Sequence, residues 1–121
     1  MSIALFDTNI VIDALNGIEQ ADIEYRNYKR VYISLITWME VMVGTDEHDT
    51  LTEDFLYTCF ITLPITRDIA EQAVMVRRQN RIKLPDAIIK ATAEIHSALL
   101  VTRNTRDFPE NSDNVRIPYT L

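Results

Sequence analysis

Residues 3–15 read IALFDTNIVIDAL, and this stretch decides the fold. Residues 3–6 are a short, fully apolar run, the pattern of a strand covered on both faces. Asp7 ends the run. Ile10, Val11, Ala14 and Leu15 then recur at helical spacing, and Gly17 stands near the end of that helix.

The same alternation continues along the chain. Residues 19–29 read as a second, more polar helix, and 31–34 as a β-branched and aromatic strand. Thr37 opens a helix that closes at Gly44. Residues 50–59 place Leu51, Phe55, Leu56 and Cys59 on one helical face, and 60–63 form a strand stopped by Pro64. Residues 67–80 predict a helix with Ile69, Ala73 and Val76 inward. Residues 86–97 predict another, with Ile88, Ala91 and Ile95 on one face. Residues 99–102 and 115–117 are the last strands. Strands separated by helices predict parallel pairing with right-handed crossovers. The expected architecture is therefore a three-layer α/β/α domain around a mostly parallel sheet, one domain over residues 1–121.

Composition sets the envelope. The chain has 121 residues, 47% of them apolar, with two glycines and four prolines, which argues against disorder and against a flexible linker. Cys59 is the single cysteine, so an internal disulfide and a cysteine-based metal site are excluded, and a reducing compartment is expected. The N-terminal apolar stretch contains Asp7, Asn9 and Asp13 and lacks a basic leader. No run approaches the ~18 apolar residues of a spanning helix. The expectation is a cytoplasmic protein without membrane association. A net charge of −6 argues against non-specific nucleic-acid binding, yet Arg77, Arg78, Arg81 and Lys83 form a basic run just before Asp86. Arg26, Lys29 and Arg30 form another, and Arg103 and Arg106 flank Asn104.

Four acidic residues stand where apolar runs pass into polar turns: Asp7, Glu40, Asp86 and Asp107. In a parallel α/β sheet such positions converge beyond the carboxyl ends of the strands. Each has a local explanation. Asp7 fits a helix N-cap, and Thr37-x-x-Glu40 fits a capping box. Asp86 suits a helix dipole with Lys90 four residues on, and Asp107 suits a turn before Phe108-Pro109. Four such acids at one sheet edge beside a basic run are better explained by a hard divalent cation, and capping is compatible with binding one. His48 and His96 lie away from these blocks and are expected at the surface.

The segments LFDTNIVIDAL, ISLITWMEVMVG, KLPDAIIKATA and LLVTRNTRDF resemble, in order and over nearly the whole chain, the signature blocks of PIN-domain proteins. They are most similar to the VapC-type toxins of toxin–antitoxin pairs. The resemblance implies a toxin acting as an Mg²⁺-dependent endoribonuclease, with Mn²⁺ as a possible substitute. Asp7, Glu40, Asp86 and Asp107 would be its metal-binding and catalytic carboxylates. Relatives differ on whether the fourth acid stands at position 104 or 107, and here only Asp107 is acidic. Thr8, Asn9, Thr102 and Asn104 would support the carboxylates, and the basic run 77–83 would meet RNA. The resemblance also implies a cognate antitoxin, whose tail presents an arginine to the acids, and a homodimer. The apolar residues Leu51, Phe55 and Leu56, with Trp38 and Met39, are a candidate groove or dimer surface. Leu51 and Phe55 are expected in the ordinary core.

Two other classes compete. A phosphoacceptor receiver domain needs an acidic pair after the first strand and a lysine after the last; this chain offers only Asp7 there and no lysine after Lys90. A haloacid-dehalogenase-like phosphatase needs an aspartate two residues after its nucleophile, where this chain has Asn9. A non-catalytic binding module on the same fold is the third alternative.

Overall fold

The computed structural model describes residues 2–109 and 112–121. Its strands are β1 (Ile3–Phe6), β2 (Arg30–Ser34), β3 (Ile61–Leu63), β4 (Leu99–Val101) and β5 (Val115–Arg116). Its helices are α1 (Thr8–Leu15), α2 (Glu19–Arg26), α3 (Leu35–Val43), α4 (Thr50–Cys59), α5 (Arg67–Asn80) and α6 (Leu84–Ile95). The five strands form one sheet in the order β3-β2-β1-β4-β5, and every pair is parallel. The three-layer expectation is borne out.

Period-two alternation assigns the strand residues to two cores. Leu5 and Leu100 face the side covered by α5 and α6, against Ile69, Ala73, Val76, Ala87, Ile89 and Ala91. The alanines of α6 let that helix lie close to the sheet. Ala4, Phe6, Val31, Ile33 and Val101 face the other side, against Ile10, Val11, Ala21 and Leu56. Phe6 meets Tyr25, Tyr28 and Phe60 there, with ring centroids 6.0–6.3 Å apart. Because both faces of β1 are covered, its residues 4–6 have no exposure at all.

The chain begins at the sheet centre, builds β2 and β3 outward on one side, then returns to place β4 and β5 on the other. The direction of winding reverses between β1 and β4, where Phe6 lies opposite Val101. That reversal opens a crevice at the carboxyl ends of these two strands, where α/β sheets receive their ligands. Asp7 and Thr102 are the next residue after each strand.

Local details differ from the sequence reading. Helix α3 begins at Leu35, with Ser34 as its N-cap: the Ser34 hydroxyl accepts from Ile36 N–H at 3.2 Å. Thr37 is thus inside the helix and fully buried, so no capping box with Glu40 exists. Helix α6 begins at Leu84, two residues before Asp86, because Pro85 suits a first turn. Its inward face is Ala87, Ile89, Ala91 and Thr92, while Ile95 is 45% exposed. Ala91 of the expected face is buried and Ile88 is half-buried against the same core. Lys90 pairs with Glu94 at 3.5 Å and not with Asp86. Leu51 is 80% exposed, since only Leu56 of its helix reaches the core fully and Phe55 packs at its margin. His48 and His96 are exposed as expected.

Leu56→Ala is expected to cost about 2–5 kcal/mol in urea unfolding, and Leu51→Ser no more than about 0.5 kcal/mol. Equal costs would contradict the assignment of faces.

Candidate metal centre

Asp7 is the organising residue. Its amide donates to Val101 O at 2.9 Å, which continues the β1–β4 ladder one residue past the strand. Its extended backbone makes it the N-cap of α1, and Oδ1 accepts from Thr8 N–H at 2.7 Å. Oδ2 accepts from the Thr102 hydroxyl at 2.7 Å and from Asn9 Nδ2 at 3.1 Å. The capping role and a place in the site therefore coexist. Burial raises the Asp7 carboxyl above the ordinary carboxylate range; the bonds from Thr102, Thr8 and Asn9 oppose this, and the Glu40 charge adds to it.

Neighbouring elements bring the rest. The Thr8 hydroxyl donates to Glu40 Oε1 at 2.7 Å and lies 3.0 Å from the hydroxyl of buried Thr37. This ties the first turn of α1 to α3 and aims Glu40 at the crevice. Asp107 accepts from Asn104 Nδ2 at 2.9 Å and donates its own amide to Asn104 Oδ1 at 3.2 Å. Buried Phe108 anchors the loop just after it. Asn104 is thereby a neutral partner that orients Asp107, as the sequence suggested.

Asp86, in the first turn of α6, reports the convergence most directly. Its pKa is raised to about 6, first by burial, then by the charges of Asp7 and Asp107, a hydrogen bond with Asp107, and the charge of Glu40. Four carboxylates from four separate blocks thus act on one another. Among the described residues none of the four is in an ion pair. Of the site acids Asp7 alone is fully buried, and the two other buried acids among the described residues are satisfied by arginine: Asp13 by Arg103 and Glu24 by Arg116, each at 2.7 Å. Buried charge is ordinarily paired. A carboxylate cluster left without a cation is chemically suited to take one from solution, and an all-oxygen donor set selects a hard divalent ion. As they stand, no three acid, histidine or cysteine side chains among the described residues are close enough to enclose an ion.

The residues expected to support the carboxylates lie beside them. Thr8, Asn9, Thr102 and Asn104 all bond to the acids or to one another; Asn9 Nδ2 also reaches Thr102 Oγ1 at 3.2 Å, and Asn104 N–H reaches the same oxygen at 2.9 Å. Arg77, Arg78, Arg81 and Lys83 are exposed around the end of α5, beside the start of α6 that carries Asp86. The sequence reading missed Thr37, Asp13 and Tyr119. For Asp13 a signal existed, an acid inside the apolar periodicity of α1.

A carboxylate whose folded pKa exceeds its unfolded value binds more protons in the native state between those values. Ionised Asp86 therefore opposes folding, and stability is lost as pH rises from about 4 to 6. Asp86→Asn should raise the melting temperature of the metal-free protein above pH 6, by a stabilisation on the order of 1 kcal/mol once solvent screening is allowed for. The gain should vanish near pH 4. An unchanged or lowered melting temperature at pH 7 would count against a clustered site.

Comparisons with known proteins place the chain by sequence and by fold. The family model described as "PIN domain" matches residues 4–113. The chain is 28% identical over 124 residues to "Ribonuclease VapC19" of Mycobacterium tuberculosis, covering 95% of this chain and 98% of that protein. Among solved structures, a toxin-antitoxin complex from Klebsiella pneumoniae contains a chain 44% identical, with a TM-score of 0.89 and coverage of 98% and 99%. FitAcB from Neisseria gonorrhoeae is 25% identical, with a TM-score of 0.76 and the same coverage. The ordered blocks around Asp7, Glu40, Asp86 and Asp107 thus sit in the fold they imply, and the chain belongs to the PIN domain family.

Proposed function

We propose that this protein is the toxin of a toxin–antitoxin pair and acts as an Mg²⁺-dependent endoribonuclease. The observation that carries the reading is the set of four carboxylates without a cationic partner at the topological switch of the sheet, where the charges of Asp7, Asp107 and Glu40 all bear on Asp86. The ribonuclease VapC19 and the Klebsiella toxin-antitoxin complex support the class of activity and partner.

Asp7, Asp86, Asp107 and Glu40 would hold the cation. When bound, Mg²⁺ or Mn²⁺ supplies positive charge against the phosphodiester oxygens and makes water acidic enough to attack near neutral pH. The protein's residues do the remainder. Thr102, Asn9 and the Thr8 amide fix both oxygens of Asp7, so its carboxylate presents one orientation. Thr8 restrains Glu40, and Asn104 restrains Asp107. Asp86, half-buried in the first turn of α6, faces the charges of Asp7, Asp107 and Glu40, so a bound cation would relieve the repulsion it feels. The exposed guanidinium groups of Arg77, Arg78 and Arg81, with Lys83, would draw the RNA backbone past an otherwise acidic surface.

A cavity of about 470 Å³ opens beside Glu40, lined by Ile12, Leu15, Asn16, Val41 and Gly44. Its mixed lining, aliphatic at Ile12, Leu15 and Val41 and acidic at Glu40, Asp46 and Asp49, suits an antitoxin segment that ends in an arginine at the carboxylates. A homodimer is part of the same proposal. No helix among the described residues is long and apolar enough to cross a membrane.

Purified protein should cut RNA at defined sites in Mg²⁺, and excess EDTA or Asp86→Asn should abolish the new ends. Cleavage undiminished in EDTA would overturn the assignment. Replacing Arg77, Arg78 and Arg81 by alanine should flatten the dependence of log affinity on log salt by about 2–3, with little change in Mg²⁺ requirement. An unchanged slope would remove that run from the RNA path.

A further inference from the structure

Arg103 stands one residue from the Asp7 partner Thr102 and one residue from Asn104, a position from which a guanidinium could reach a phosphate. Its side chain turns the other way. Nε donates to Asp13 Oδ2 at 2.7 Å and the second nitrogen to Asp13 Oδ1 at 3.0 Å. Tyr119 completes the unit by donating its hydroxyl to the same Oδ2 at 2.8 Å. Asp13 is only 6% exposed, so this fork is a desolvated, bidentate contact and is worth far more than a surface ion pair.

The geometry reveals its purpose. Asn9 and Asp13 are one turn apart on the same side of α1. Asn9 Oδ1 accepts the Arg103 amide at 3.0 Å, while Asp13 takes the Arg103 side chain. One residue is therefore gripped twice by the helix that Asp7 caps. The loop that follows carries Asn104 and Asp107, and its path is set at Arg103. We propose that Arg103, clamped by Asp13 and Tyr119, is a positioning residue that fixes the fourth carboxylate relative to Asp7, and that it does not contact RNA. The proposal deepens the metal-dependent nuclease reading and rests on it.

The fold supplies its own control. Glu24 on α2 holds Arg116 at 2.7 and 3.1 Å and accepts from the Tyr28 hydroxyl, a carboxylate–arginine–tyrosine unit of the same chemistry. Glu24 bonds to none of the four site acids. Asp13→Asn and Glu24→Gln are matched isosteric changes, so loss of stability alone should affect both alike.

The test is Mn²⁺ binding to each purified variant by titration calorimetry, with thermal unfolding in parallel. Asp13→Asn should weaken Mn²⁺ binding about 10-fold or more, while Glu24→Gln leaves it at the wild-type value despite a comparable fall in melting temperature. Arg103→Lys keeps the charge but not the fork, and should also weaken Mn²⁺ binding while leaving the salt dependence of RNA binding to the Asp86→Asn background unchanged. If Asp13→Asn does not fold, Tyr119→Phe against Tyr28→Phe makes the same comparison more mildly. Equal Mn²⁺ affinities in all variants, with wild type binding normally, would overturn the clamp and leave the nuclease reading intact. A flattened salt slope on Arg103→Ala with unchanged Mn²⁺ affinity would reassign Arg103 to RNA. A wild-type protein that binds no Mn²⁺ would overturn both the metal reading and the clamp built on it.

Discussion

Uncompensated negative charge at the carboxyl edge of the sheet is the constraint on which the rest of this molecule depends. Asp7 is buried at the switch between β1 and β4, and no arginine or lysine among the described residues meets it. It is kept in place by a hydroxyl, an amide side chain and a backbone N–H instead. Those neutral donors hold the carboxylate without cancelling its charge. The same logic applies at Asp107, oriented by Asn104, and at Glu40, oriented by Thr8. Elsewhere the chain treats buried acids in the ordinary way, with bidentate arginines on Asp13 and Glu24. On the proposed reading, the contrast within one fold separates acids that serve the structure from acids that would hold a ligand.

The fold tolerates that strain because the site is built at the rim of a fully covered sheet. Residues 4–6 of β1 are wholly buried, and both cores close around them. The repulsion among Asp7, Asp86, Asp107 and Glu40 is placed where the sheet ends and solvent begins, so it costs stability without disturbing the packing beneath. Conflict between local stability and global fold is expected at functional sites.

Much of this was legible in the sequence. The apolar run 3–6 passing through Asp7 into a helical period identified the central strand and the parallel unit, because burial on both faces removes the polar alternation of an exposed strand. The four acids and their supporting Thr8, Asn9, Thr102 and Asn104 were readable from blocks in order. Boundaries were less so: Ser34 competed with Thr37 for the α3 cap, and only tertiary burial of Thr37 against Thr8 decides between them. The inward face of α6 was only partly readable: Ala91 is buried and Ile88 half-buried as expected, whereas Ile95 continues the same stripe and is exposed, and Ala87 and Ile89 were not picked out. Arg103 was readable only as one of two arginines flanking Asn104, since a partner 90 positions away leaves no local trace. Asp13 was visible as an acid within an apolar stripe, yet its partner was not.

On the proposed reading these four carboxylates converge on a divalent cation. The most direct measurement is anomalous scattering from crystals grown with Mn²⁺. The account predicts a peak between Asp7, Asp86 and Asp107, with Glu40 facing it and Arg103 still turned toward Asp13. Full Mn²⁺ in the crystallisation medium with no peak at that edge, or a peak bound elsewhere while these carboxylates stay apart, would contradict it.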